Sequence, residues 1–522
     1  MVAVAYPSIY TVSSIFHDGG AAIAMLHESA VWSIVSIPGL LLATTIWGTA
    51  IAISATVLAL PVSFYLAGTS SPRKRRIVTA LTIGVLCIPP YISYWIWGLI
   101  RLPGSMLGDY VAHSSPAMHE FAGIVQLWWG LTIWVWPIPA LTIAGALGRI
   151  PRSRSDLLTL DAAGRFRKFI IIINEARSGV FLGLFLSFLA VISAAVVFDL
   201  ASTQTSGLTT YSEALRRLHG EIPDQTAILV ASLPFAILMA FIAIFAVRFL
   251  ATPPREANLC TISISRAVPW STLFIVMIAV FSPILIMLRT LGFSIRPFVE
   301  LSKTDGSSLV DGFILASGAG VVFFVLTLGF SFAWHYAARS RILKMVLIIQ
   351  AIVWVYISLL PGMTIGSALV HTYNHPMMNL IYHSPIIVVL GYAARFGFLP
   401  MLTAHWFAVN HAKGLENLAA IDGAREFPDW LVAVGPSAVR TAIATGFIGI
   451  FLSLGEITTT ILVTPPSIQS PAERLLNRLH YAREDAAMAT CLIITLVVFI
   501  GGTLAALAFT RTRENHFIDQ SS

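Results

Sequence analysis

Eleven long, predominantly apolar stretches run through the chain, and the short segments between them hold nearly all of its charge. A helix rises about 1.5 Å per residue, so roughly twenty such residues cross the ~30 Å of bilayer hydrocarbon. Within that solvent a helix satisfies its own backbone hydrogen bonds. The sequence therefore predicts an all-α polytopic membrane protein with spans near 40–68, 77–100, 121–146, 179–200, 226–250, 268–291, 310–336, 343–370, 380–404, 441–463 and 487–510. Met1–Phe16 is apolar but only about 24 Å long as a helix. It lacks a charged start and a small-residue cleavage site, and it reads as a truncated first span, for about 11–12 spans in all.

Of the 522 residues 57% are hydrophobic and 11% charged, against roughly 25% charged in soluble domains, which excludes a water-soluble enzyme. Cys87, Cys260 and Cys491 are far apart and form no C-x-x-C pair, so neither a disulfide framework nor a metal site is expected. The net charge of +7 sits in short basic clusters between apolar runs, the mark of membrane topology rather than of a nucleic-acid partner. Loops alternate sharply. One set, with Arg73-Lys74-Arg75-Arg76, the Arg149–Lys168 segment, the Lys413–Arg440 segment and the C-terminus, carries 22 Lys and Arg; the other carries 8. Basic loops resist translocation, so the first set and the C-terminus are expected to be cytoplasmic.

A shift of 261 residues lays Leu160-Asp161-Ala162-Ala163 on Ile421-Asp422-Gly423-Ala424, Phe166 on Phe427 and Pro139 on Pro400. Upstream, Leu86-Cys87-Ile88-Pro89-Pro90 corresponds better to Ser358-Leu359-Leu360-Pro361-Gly362, with a register change of eleven residues. Residues 1–261 and 262–522 thus read as two parallel, six-helix-like units, which implies a pseudo-two-fold axis along the membrane normal and a path between them. Pro89 and Pro361 are expected to break their helices at comparable depth, as helices lining a cavity tolerate.

The segment between the spans ending near 404 and beginning near 441 holds Asn417, Leu418, Ala419, Ala420, Ile421, Asp422, Gly423 and Ala424, then Pro436. A loop this long needs a purpose, and its small residues offer a face for another protein. It resembles the cytoplasmic loop of binding-protein-dependent ABC importer permeases, whose pattern is Glu-Ala-Ala, three residues, Gly, nine residues and Ile-x-Leu-Pro. Asn417, Leu418 and Ala419 take the Glu-Ala-Ala places, Gly423 the glycine and Pro436 the proline, while Ala433 and Gly435 replace Ile and Leu. In the first half Asp156, Leu157 and Leu158 take the first places, Ala162 the glycine and Glu175 the proline, with Leu160, Asp161, Ala162 and Ala163 matching the Leu-Asp-Gly-Ala extension. The first copy departs further from the pattern, and Leu360–Gly366 adds to the likeness. Fused units of this kind are similar to the ferric-iron, thiamine and polyamine-like permeases.

The resemblance implies an inner-membrane permease whose two cytoplasmic loops sit on two copies of an ABC ATPase. It also implies an extracytoplasmic solute-binding protein that delivers a small solute, ferric iron being the first expectation. No G-x-x-x-x-G-K-[ST] occurs, so ATP and Mg are expected on the partner and no cofactor in this chain. No nucleophile-and-base constellation is evident, so the chain is not expected to be an enzyme and no catalytic residue is assigned.

Charges within spans cost a few kcal/mol and mark functional sites more often than charges in loops do. Asp199 and Glu456 lie toward the outer ends of equivalent spans and could border the path; Arg289 and Arg395 are the cations at similar positions. The plainer reading has the acids capping helix ends or pairing locally, and Arg289 snorkelling to the interface. Tyr94, with Tyr91, Trp95 and Trp97, could line a path or belong to an interfacial aromatic belt. His371, His375 and His383 read as interfacial histidines rather than metal ligands, because Pro376 interrupts any shared helix. A secondary transporter coupled through Asp199 and Glu456 is the alternative to the ATP-driven reading.

Overall fold

The computed structural model describes residues 7, 20–26, 37–101, 105–150, 164–202, 210–222, 224–250, 267–304, 306–337, 340–408, 431–466, 468, 470–480 and 484–519. Among them there is no strand. Among the described residues seven helices are long and apolar enough to cross a membrane, and up to eleven spans result if each sharply bent pair counts as one. The chain is an all-α, multi-pass membrane protein. Large apolar side chains such as Phe241, Trp270, Phe274, Val321 and Ile342 point outward from these helices, as lipid-facing residues do.

The first group comprises α1 (Ile37–Gly68), α2 (Pro72–Cys87), α3 (Pro90–Gly98), α4 (Pro116–Val135), α5 (Pro137–Leu147), α6 (Arg165–Glu175), α7 (Arg177–Ile192), α8 (Ala195–Ser202), α9 (Tyr211–Glu221) and α10 (Gln225–Leu250). A second follows with α11 (267–290, containing a π-helical turn at Met277–Phe281), α12 (Arg296–Thr304), α13 (Gly306–Ala337), α14 (Arg341–Leu359), α15 (Gly362–Tyr373), α16 (Ile386–Phe396) and α17 (Phe398–Phe407). It ends with α18 (Gly435–Leu454), α19 (Thr460–Val463), α20 (Pro471–His480) and α21 (Glu484–Asp519).

Several stretches expected as single spans are instead two helices. The span near 77–100 bends by 85° between α2 and α3. Ile88 precedes Pro89 and is pushed into extended backbone (φ −64°, ψ 129°), after which Pro90 starts α3. Leu360 does the same before Pro361 (φ −64°, ψ 148°), closing α14 and opening α15. The breaks expected at Pro89 and Pro361 are therefore present. The spans near 121–146 and 380–404 turn at Trp136 and Gly397, and those near 179–200 and 441–463 end early at Ile192 and Leu454. The short continuation α8 is almost wholly buried, and in α19 Thr460 and Val463 are buried. Pro436 lies in the first turn of α18, where its missing N–H costs nothing.

In the first group α1, α5 and α7 pack against one another; in the second α13, α17 and α18 do the same. Small residues permit the approach. A Cβ on Gly183 of α7 would stand 2.7 Å from the Pro139 Cα of α5, and one on Gly446 of α18 would stand 2.9 Å from the Gly320 carbonyl of α13. The groups are also crossed: α10 packs on α14, while α21 packs on α2, with Gly502 of α21 against Cys87. α11 lies against α1, where the Thr272 hydroxyl donates to the Pro61 carbonyl at 3.3 Å.

Candidate functional site at a junction of broken helices

Every helix break frees carbonyls that need donors, and in an apolar interior water is not there to serve. Arg395, near the end of α16, answers this need at two breaks at once. Its Nη1 donates to the carbonyls of Leu360 (2.8 Å) and Ser358 (3.1 Å) at the α14–α15 break. Its Nη2 donates to the Ser193 carbonyl (3.1 Å) at the break between α7 and α8, in the other helix group. Its Nε stands 3.6 Å from Glu456 Oε2, an ion-pair distance rather than a hydrogen bond.

Glu456 follows the end of α18. Its Oε1 accepts the Thr459 N–H at 2.9 Å and the Thr458 hydroxyl, so one carboxylate oxygen orders the turn into α19 while the other faces Arg395. Arg395 and Glu456 are 9% and 8% exposed, which makes this a buried ion pair between two spans, each partner holding hydrogen bonds of its own to other groups. Tyr91 of α3 and Tyr392 of α16 lie within electrostatic reach of the same carboxylate. The Tyr91 and Tyr94 hydroxyls are buried with no hydrogen-bond partner among the described residues.

At the corresponding break of the first group the donor is neutral. Trp134 Nε1 donates to the Ile88 carbonyl at 2.7 Å. Across from it, Gly455 sits against the Pro89 ring, where a Cβ would come within 2.5 Å of Pro89 Cγ. Tyr94 packs its backbone on Gly130 of α4, beside a 3.1 Å bond from the Ser93 hydroxyl to the Gly130 carbonyl.

Asp199 is buried in α8 and paired with Arg216 of α9. One turn earlier in α9, Glu213 is fully buried, 2.5 Å from Arg217 and accepting the Thr210 N–H at 3.2 Å. Burial pushes the Glu213 carboxyl above its ordinary value, and Asp199 adds to this, while Arg217, Ser202 and Thr210 pull it partly back. Burial also pushes the His219 imidazole below its ordinary value. Arg289 is exposed in the last turn of α11.

Of the residues singled out in the sequence, Asp156, Leu160, Asp161, Ala162, Ala163, Asn417, Ala419, Asp422, Gly423 and Ala424 lie outside the described residues. Pro89, Pro361 and Glu456 converge near one junction, Tyr94 packs on α4, and Asp199 belongs to a separate ion pair. Sequence reasoning missed Ser193, which acts through its backbone and leaves no residue-type signal. It also missed Glu213, although Thr210-Tyr211-Ser212-Glu213 has the spacing of a capping box and Arg217 follows at i+4. Among the described residues no three His, Cys, Asp or Glu side chains come together as metal ligands would. Compared with known protein families, with curated proteins and with solved structures, the chain matches none of them.

Proposed function

We propose that this chain is the fused permease of a binding-protein-dependent ABC importer, built from two duplicated units of about 261 residues in the inner membrane, with its C-terminus in the cytoplasm. The observation that carries the reading is the matched packing of the two helix groups. The triad of α1, α5 and α7 repeats as α13, α17 and α18, and α10 crosses to α14 as α21 crosses to α2. Such a reciprocal arrangement is what two parallel units around a pseudo-two-fold axis require, with a solute path at their shared face.

In this reading the residues 151–163 and 409–430 are the handles on which two ATPase subunits act. Rocking of the two triads opens the path alternately to either side. The Arg395 fork, which ties α16 to both helix groups, holds the units in register at mid-path. Solute arrives from an extracytoplasmic receptor, and nucleotide chemistry stays on the ATPases. That both Asp199 and Glu456 already have guanidinium partners favours this over coupling by a proton carried on either acid.

The test is isolation of the native complex followed by uptake and ATPase assays in proteoliposomes. A P-loop ATPase is expected to co-purify, and Gly423→Arg is expected to abolish its association and uptake. Uptake by the isolated chain without any ATPase would overturn the proposal.

A further inference from the structure

We propose that α6 lies in the plane of the membrane interface and, together with the turn between α1 and α2, binds the headgroups of anionic phospholipids. This inference rests only on the membrane placement of the helices and not on the transport reading. The axis of α6 stands 70° from that of the following span, α7, so α6 leaves the bundle sideways at the point where the span begins.

Two apolar faces run along it. One is used inside the protein: the Phe169 ring lies 5.7 Å from that of Phe64 on α1, and Ile172 joins the cluster of Ile143, Leu147 and Ala176. The other is bare. Phe166 is 76% and Ile170 50% exposed, and Ile173 is half-buried, at the i, i+4, i+7 spacing of a single stripe. The stripe leads on toward exposed Phe181 in the second turn of α7.

Charge supplies the second half of the argument. Arg167, Lys168 and Arg177 surround the stripe, and none has an ion-pair partner among the described residues. Phe64 and Ala67, at the end of α1, lie in the same cluster as Ile172. Just beyond them the first turn of α2 presents Arg73, Lys74 and Arg75, likewise without acidic partners among the described residues. A helix lying across a span, with an apolar stripe toward hydrocarbon and unpaired bases beside it, matches an anionic membrane surface in both polarity and charge. A protein partner would need its own apolar groove at the level of the acyl chains.

The full chain is reconstituted in nanodiscs of phosphatidylcholine, alone or mixed equally with phosphatidylglycerol. Native mass spectrometry then counts the lipids retained. Preferential retention of phosphatidylglycerol is expected, and Arg167→Gln with Lys168→Gln is expected to weaken the preference on the order of tenfold. Equal retention of both lipids, or a preference that survives the double substitution, would overturn the proposal, and so would displacement of the lipid by inorganic phosphate. In a chain with Cys87, Cys260 and Cys491 replaced by Ala, spin labels at Phe166→Cys and Ile170→Cys are expected to collide with dissolved oxygen rather than with a water-soluble nickel chelate. Labels open to the chelate would count against lipid contact and for a protein partner.

Discussion

The break before Pro89 and the break before Pro361 pose the same problem, a carbonyl freed where a proline ends a helix, and the two helix groups answer it differently. In the first, an indole donates one neutral bond from Trp134 to Ile88. In the second, Arg395 stands where Trp134 falls under the 261-residue shift, and it serves Leu360, Ser358 and Ser193 together. A guanidinium has five donors in a rigid fork where an indole has one. The cost is a buried charge, which Glu456 offsets. Adopting the cation thus brings in a carboxylate, a capped turn at α19 and a bond to the other helix group. The difference teaches that a local repair at one break can become a long-range tie at its counterpart.

That contrast predicts unequal consequences. Arg395→Ala leaves Glu456 charged and buried and three carbonyls without this donor, and should cost about 3–5 kcal/mol in unfolding stability measured by thermal or denaturant melts in detergent. Arg395→Lys should recover only part of this, because a point charge does not reproduce the fork. If Arg395→Ala melts like the parent, the junction does not hold the groups together. Trp134→Phe removes one hydrogen bond while keeping most of the packing, and should cost about 1–3 kcal/mol in the same assay. A loss as large as that of Arg395→Ala would erase the distinction between the two breaks.

The smallest effect is expected at Glu213. Its folded-state value is raised, so protons bind the folded chain more tightly than the unfolded one. The stability gained from this is fully present below the ordinary glutamate value of about 4.3 and is lost as pH rises through the higher folded value. Glu213→Gln should therefore flatten that stretch of the Tm profile. A profile that steepens in the opposite direction would show that Arg217 outweighs burial.

The spans were legible because apolar length is a one-dimensional signal, and the breaks at Pro89 and Pro361 because proline writes its constraint into the residue before it. The breaks after Ile192 and Leu454 carry no proline, and the apolar pattern runs through both without interruption. There the chain bends because Ser193, Gly455 and Glu456 find tertiary partners, which no local pattern announces. Asp199 and Glu456 stood out as acids in apolar surroundings. Arg395 stood out as well, but neither pairing did, since Arg216 lies 17 residues from Asp199 and Arg395 comes from a different span than Glu456.

The crossing of α10 onto α14 carries a lesson for biogenesis. Ala243, Ala246 and Val247 are buried in one cluster with Leu347, Ala351 and Trp354, residues synthesised about a hundred positions later. The nascent first bundle must wait in the bilayer with a seam open until its counterpart emerges, and only then does the closing helix find its seat. Maturation is in this sense a handshake completed late.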